Sequence, residues 1–439
     1  MFLAYALPII LLPNTLHLPA DVGMGASILL LAAAAVFGQR DPPAFSRTSL
    51  LAAPLAGLFA ALLLGWALAQ WRDPISPLAD LVRAKYAITF PLLYLAYRHC
   101  GLDPAATRKL ILLTMLVAVM AGLEAVLQGL QFDLGTFSDD QRATGPFGEQ
   151  GAANRAGVFF AMFLPLPVAL ALQPGCRPHV RLLALAGSGI LLAAIMFTFS
   201  RQSYLIAVAG ILLVLLNRGL TVTLLALLAI AIAAVILVPE SAMQRIEGTR
   251  EVGAGVGNVT VDDSTASRLE IWAGAMAMLA DHPFGAGLDR FVDLIGEYSP
   301  HAGKDAHNGF VLMLAECGPF GLAMMLWLFW RVWVLTRRLR ATVSGTTPEA
   351  RALALGMTVS VACMAAGNVY GSPFFSGLVM HSFWVLCGLM ERYGLMLAHA
   401  AEVRGGRAPV RGRDRLVARF PLAARAVPGL QVQARGLRQ

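Results

Sequence analysis

The chain has 439 residues, of which 57% are hydrophobic and 14% charged, with mean hydropathy +0.67. Soluble globular domains carry about 25% charged residues, so this composition excludes a water-soluble fold and predicts an all-α integral membrane protein. The formal net charge of +8 reflects where basic residues fall around the membrane spans, and it requires no nucleic-acid partner.

A bilayer core about 30 Å thick takes about 20 apolar residues of helix. Windows of that length predict about twelve spans. They lie near residues 2–19, 22–38, 50–69, 84–98, 109–130, 151–172, 181–200, 202–217, 219–238, 308–335, 351–370 and 373–391. The first is broken by Pro8, Pro13 and Asn14. It lacks a basic leading region and reads as a span, not as a cleaved leader.

Counting Lys and Arg on alternate sides sets the orientation. With both termini cytoplasmic, the inside loops and the tail from Glu391 hold 23 Lys/Arg and 6 Asp/Glu, against 11 and 18 outside. The expected organisation is spans one to nine in 1–238, an outside loop in 239–307, spans ten to twelve in 308–391, and a basic cytoplasmic tail in 392–439. Such a tail meets anionic headgroups of membrane lipids. The cysteines Cys100, Cys176, Cys317, Cys363 and Cys387 show neither metal-ligand spacing nor a redox pair, and read as small core residues.

From Leu182 to Asn217 the chain runs 36 residues with one charged side chain, Arg201. At 1.5 Å per residue that run is about 54 Å long, too much for one crossing, so it must fold as a hairpin with Arg201 at the outer turn. Arg201 then stands at a helix N-terminus near the interface. A headgroup anchor is the bland reading; an ionisable group so placed is also a functional candidate.

The outside loop opens with GTREVGAGVGNVTVDDS, whose GxG pieces follow no strand and read as a flexible lid, not a phosphate loop. A helix is predicted near 264–280, with Ser267 and Glu270 at capping-box spacing and Leu269, Trp272, Met276 and Leu279 on one face. Arg268 falls in its first turn, where a cation is disfavoured unless an anion compensates. Asp262 or Glu270 is one source of that anion, and an external phosphate is the other.

His307 opens span ten in the segment His307-Asn308-Gly309. A positive helix end lowers a histidine pKa and favours the neutral, basic ring. Arg142, Asn154, Arg155, Lys85 and Arg83 lie on the same side, and together these residues suggest a built anion site. Arginines, a candidate base and no cluster of acidic metal ligands suit a reaction in which a diphosphate leaves and a hydroxyl attacks. Asp305, Asp281 and Glu297 are reserve candidates for the base.

The order RATGPFGEQGAANRAG, TFSRQSYLIAVAG, SRLEIWAGAMAMLADHPFGAGLDRF and AHNGFVLMLAECGPFGLAMML resembles the O-antigen ligase and O-antigen polymerase superfamily of bacterial inner-membrane proteins, over roughly residues 140–335. The resemblance implies a metal-independent, cofactor-free glycosyltransferase of the GT-C type, with its active site facing the periplasm. Such an enzyme passes a glycan from undecaprenyl diphosphate to a hydroxyl. By resemblance, Arg201 and Arg268 are diphosphate ligands and His307 is the general base, with Asn308 beside it and Arg142 in a less settled substrate-binding role, while the residues themselves add Lys85. The stretch GEQGAAN is longer than in many relatives, which puts Asn154 in doubt. The ligase, whose acceptor is a sugar of lipid A-core, is the preferred reading. A polymerase joining lipid-linked repeats remains open, as does a lipid or anion transporter.

Overall fold

The computed structural model describes residues 2–10, 25–31, 49–72, 77–132, 141–148, 152–225, 227–228 and 263–404. In chain order the helices are α1 Phe2–Ile10, α2 Ala52–Arg72, α3 Pro77–Arg98, α4 Pro104–Gly129, α5 Ala153–Phe163, α6 Pro165–Leu172, α7 Pro178–Phe197, α8 Arg201–Leu216, α9 Asp263–Asp281, α10 Phe291–Leu294, α11 Gly309–Val343, α12 Pro348–Gly367 and α13 Gly377–Arg404. Among the described residues there is no strand.

Among the described residues, six helical stretches are long and apolar enough to cross a membrane: α2, α4, α5 with α6, α7, α11 and α12. Helix α8 is apolar but has only 16 residues, about 24 Å of rise. The expected spans at 84–98 and 373–391 fall on α3 and α13, which are long but charged: Asp80, Arg83, Lys85 and Arg98 on one, Glu391 and Arg392 on the other. Those expected at 2–19, 22–38 and 219–238 lie largely outside the described residues, as do the glycine-rich opening of the loop and the tail beyond Arg404.

Local sequence sets the helix starts. Asp103 accepts from the Ala106 N–H at 2.6 Å and Pro104 follows it, and Thr347 with Pro348 repeats the arrangement at α12. A capping oxygen satisfies one otherwise unpaired N–H, and proline at the first helical position loses nothing by lacking one. Small residues let helices approach closely. A Cβ on Gly388 of α13 would stand 2.5 Å from the Tyr94 carbonyl of α3, and one on Gly356 of α12 would stand 2.7 Å from Leu166 Cα of α6. At the end of the bundle away from α9, the buried Glu391 receives the Tyr94 hydroxyl and Arg98 Nε, which binds α13 to α3.

Helix α11 is kinked where Gly318 takes φ 68° ahead of Pro319, a residue with no N–H to donate. The carbonyls of Ala315 and Glu316 instead accept from Ala286 at 2.8 Å and Gly287 at 3.0 Å, while Leu288 donates to Gly65 of α2 at 2.9 Å. The segment PFGAGL is thereby threaded between α11 and α2 and fixes how α9 sits on the bundle. Gly285 has φ 98°, and a Cβ there would lie 2.4 Å from the Glu316 oxygen. Gly285→Val combines that clash with left-handed strain of about 1–3 kcal/mol, and is expected to lower the Tm and the yield of monodisperse protein in detergent. A wild-type melting curve would contradict this account of the kink.

Helix α9 packs through Ile271, Gly274, Ala275 and Met278, which are buried with Phe291, Ile295, Leu312 and Ala315. The apolar face that sequence offers to the membrane surface or to the tops of other spans is a different one: Leu269 and Met276 on it are exposed and Trp272 only partly covered, as on a face that rests on the membrane surface. The close approach needs small side chains, since a Cβ on Gly274 would meet Ser299 Cβ and the Tyr298 carbonyl at 3.0 Å. The helix also begins at Asp263, so Arg268 lies in its second turn and not, as expected, in its first. Asp262 lies outside the described residues.

Candidate functional site

The apolar run from Leu182 breaks at Thr198–Ser200, between α7 and α8. Phe199 adopts φ 48°, Thr198 Oγ1 bonds back to the Ile195 carbonyl, and Ser203 Oγ donates to Ser200 Oγ at 2.9 Å. Helix α5 crosses this turn at Gly157, where a Cβ would stand 2.4 Å from Ser203 Oγ. The tight turn starts α8 at Arg201, and Ser200, in an extended conformation, supplies no side-chain cap. Arg142 braces the turn from outside, donating Nε to the Thr198 carbonyl at 2.9 Å and Nη2 to Asn154 Oδ1 at 2.6 Å.

Arg268 projects from α9, with its guanidinium carbon 5.7 Å from the centre of the Tyr370 ring. Trp272, one turn on, stands 5.8 Å from the same ring and donates Nε1 to the Ala306 carbonyl at 2.8 Å. Glu270 meets His301 Nε2 at 2.7 Å. It ties the 299–305 loop to α9.

His307 is held with φ 47°, a conformation that costs a non-glycine residue free energy. Its surroundings over-determine it. Gly309 N–H lies 2.9 Å from the carbonyls of both Asn368 and Gly371, and Asn308 caps α11 by accepting from Phe310 at 2.9 Å and Val311 at 3.1 Å. The buried Asn368 also accepts from the Phe374 N–H at 3.1 Å and donates to the Met364 carbonyl. His307 Nδ1 is 3.8 Å from Asp305 Oδ2. The His307 pKa is held below its usual value, first by burial; Asp305 pulls it upward, and Arg268 and Lys304 push it down. Burial and neighbouring cations thus supply the shift that sequence assigned to the helix end.

Three neighbouring cavities that share lining residues bring these groups together. A groove of about 650 Å³ holds Arg201 and Arg268 against the apolar side chains of Leu205, Ile206 and Val369. A polar cleft of about 370 Å³ is lined by Asn154, Arg155, Asp305, His307 and Ser372. Gln202 and Tyr370 wall both. A third space of about 250 Å³ has Arg268 and His307 on its surface, with Lys304 and His301. A largely apolar groove that carries two guanidinium groups suits an amphipathic anion, and the cleft beside it, lined by His307, Asp305 and Ser372, suits a hydroxylated partner.

Arg201, Arg268 and His307 therefore converge. Asn154 and Arg155 line the cleft, whereas Arg142 stands behind it as a brace. Asn308 is buried with its side-chain oxygen committed to capping α11. Lys85 lies on α3, but its side chain falls outside the described residues. Asp281 accepts from the Tyr298 hydroxyl at 3.1 Å, and neither it nor Glu297 lines these cavities. Sequence reading missed Gln202, Asn368, Tyr370 and Ser372; the one signal for the last three was the stretch NVYGSPFFS, whose Asn, Gly, Ser and Pro interrupt the apolar run where α12 gives way to α13.

Tyr370 offers its ring face to Arg268, a cation–π contact worth about 0.5–2 kcal/mol. Tyr370→Ala is expected to weaken binding of an amphipathic phosphate probe to this groove by roughly 3- to 30-fold, and Tyr370→Phe to leave it near wild type. Equal losses in both variants would show that the hydroxyl, not the ring face, matters.

Fold and composition define a multi-pass helical membrane protein. Residues 186–326, about a third of the chain, match the family model described as O-antigen ligase. Arg201, Arg268, His307 and Asn308 fall inside the match; Lys85, Arg142 and the 368–376 loop fall outside it. No curated protein matches the chain.

Proposed function

We propose that the protein is an O-antigen ligase that transfers a glycan from undecaprenyl diphosphate to a sugar hydroxyl of lipid A-core, at the periplasmic face of the inner membrane. The observation that carries this reading is the shared wall: Tyr370 and Gln202 separate the apolar groove holding Arg201 and Arg268 from the polar cleft holding His307. The groove takes the polyprenyl chain and the arginines take the diphosphate at its end. The acceptor sugar enters the cleft.

In the transfer step His307 accepts the proton of the acceptor hydroxyl as that oxygen bonds to the anomeric carbon. The bond from that carbon to the diphosphate oxygen breaks, and the diphosphate leaves with the electron pair. Arg201 and Arg268 neutralise the charge gathering on the phosphate oxygens, each charge-assisted bond contributing about 1.5–3 kcal/mol. The step needs no metal or cofactor. Arg142 and Asn308 hold the frame around the site, and Lys85 adds positive charge for the donor.

The wider architecture belongs to the same proposal: about twelve spans of GT-C type, a periplasmic loop at 239–307, both termini cytoplasmic and a basic tail on anionic lipid. A polymerase would use the same groove and arginines with a second lipid-linked repeat as acceptor, and an anion or lipid transporter would move the donor without cleaving it. Purified protein given a lipid-diphosphate glycan with either lipid A-core or a second lipid-linked repeat, in chelator, separates these readings. The ligase reading predicts glycan on lipid A-core; elongated lipid-linked glycan, or no new glycosidic bond, would overturn it.

A further inference from the structure

The 368–376 loop joins α12 to α13, beyond the segment that matches the family model. It is anchored on both sides of Ser372: the Gly371 carbonyl accepts from Gly309 at 2.9 Å, and the Phe374 N–H donates to Asn368 Oδ1 at 3.1 Å. Between these points Ser372 Oγ donates to Asp305 Oδ2 at 2.6 Å. That same carboxylate oxygen stands 3.8 Å from His307 Nδ1, too far for a hydrogen bond.

We propose that Ser372 is a positioning residue for glycan transfer: it holds the Asp305 carboxylate back from His307, so that the ring stays neutral until it takes the acceptor's proton. The inference rests on the base role proposed for His307. A carboxylate that closes on an imidazole stabilises the protonated ring and raises its pKa by about 1–3 units. Such a ring is already protonated near neutral pH and accepts nothing. Held at its observed distance, Asp305 still meets the positive charge that appears during transfer.

Among the described residues, the other charged or titratable groups around His307 are Lys304 and His301 on its own loop, Arg268 on α9, Arg155 on α5 across the cleft and Tyr370 on the 368–376 loop. Asp305 is the carboxylate among the residues lining the two cavities that His307 borders.

The test is the pH dependence of kcat/KM for transfer by wild type, Ser372→Ala and Ser372→Thr. Loss of the serine hydroxyl frees the carboxylate, so the acid limb of Ser372→Ala should move up by about one pH unit. Transfer near pH 6 then falls several-fold, and the loss grows toward tenfold at lower pH, while transfer near pH 8.5 is kept. Threonine, which retains the hydroxyl, restores the wild-type limb, and Asp305→Asn added to Ser372→Ala moves the limb back down. An unshifted Ser372→Ala profile overturns the proposal, and so does a loss of equal size at every pH, since a merely structural role gives that. Undiminished transfer by His307→Ala would instead defeat the underlying base assignment.

Discussion

His307→Ala is expected to lower kcat for glycan transfer by roughly 10²- to 10⁴-fold, the usual contribution of a positioned general base, while donor binding and folding stay as in wild type. Folding should survive because the ring is partly exposed, with 44% of its side-chain surface accessible. The positive φ of 47° is held by neighbouring backbone bonds, not by the imidazole. Alanine at that φ adds modest strain, so His307→Gly, which tolerates the conformation freely, is the matched control. Both variants should bind the lipid-diphosphate glycan and fail to transfer it. An inactive alanine variant beside an active glycine variant would mean that backbone strain, not loss of a base, had removed activity.

Arg268→Ala is expected to act on the other substrate. It removes a charge-assisted contact worth about 1.5–3 kcal/mol, roughly 10- to 150-fold in donor affinity or kcat/KM. Because Arg268 helps hold the His307 pKa down, the same substitution should also move the acid limb of the pH profile upward: removing a nearby cation stabilises the protonated ring. Arg201→Lys separates charge from shape, since lysine keeps the charge but loses the planar fork. It should recover only part of what Arg201→Ala loses. A lysine variant with wild-type transfer at subsaturating donor would count against bidentate binding.

Arg201 was legible because one charge interrupted a run too long for a single crossing, which fixed it at a turn before any contact was known. His307 and Arg268 were legible through the motif order. The turn itself was not: the φ of 48° at Phe199 and the fit of Gly157 over Ser203 depend on a helix some forty residues earlier in the chain. The face that α9 buries against the bundle was not legible from hydrophobicity alone, because Gly274 and Ala275 give it little apolar weight beside Leu269, Trp272 and Met276. Close helix packing selects small residues instead. Ser372 and Tyr370 look like ordinary turn residues, and their importance lies in contacts with Asp305 and Arg268, 67 and 102 positions earlier in sequence. The contacts of Arg142 with the Thr198 carbonyl and Asn154 were not legible, because these partners come from separate elements that sequence does not bring together.

The central claim is a division of labour, with arginines for the donor and histidine for the proton, and donor affinity tests it most directly. Binding of a lipid-diphosphate glycan to purified wild type, His307→Ala and Arg268→Ala should show wild-type affinity in the histidine variant and affinity weakened by roughly tenfold or more in the arginine variant. Equal affinity in the arginine variant, or a loss confined to the histidine variant, would contradict the assignment of the groove to the diphosphate.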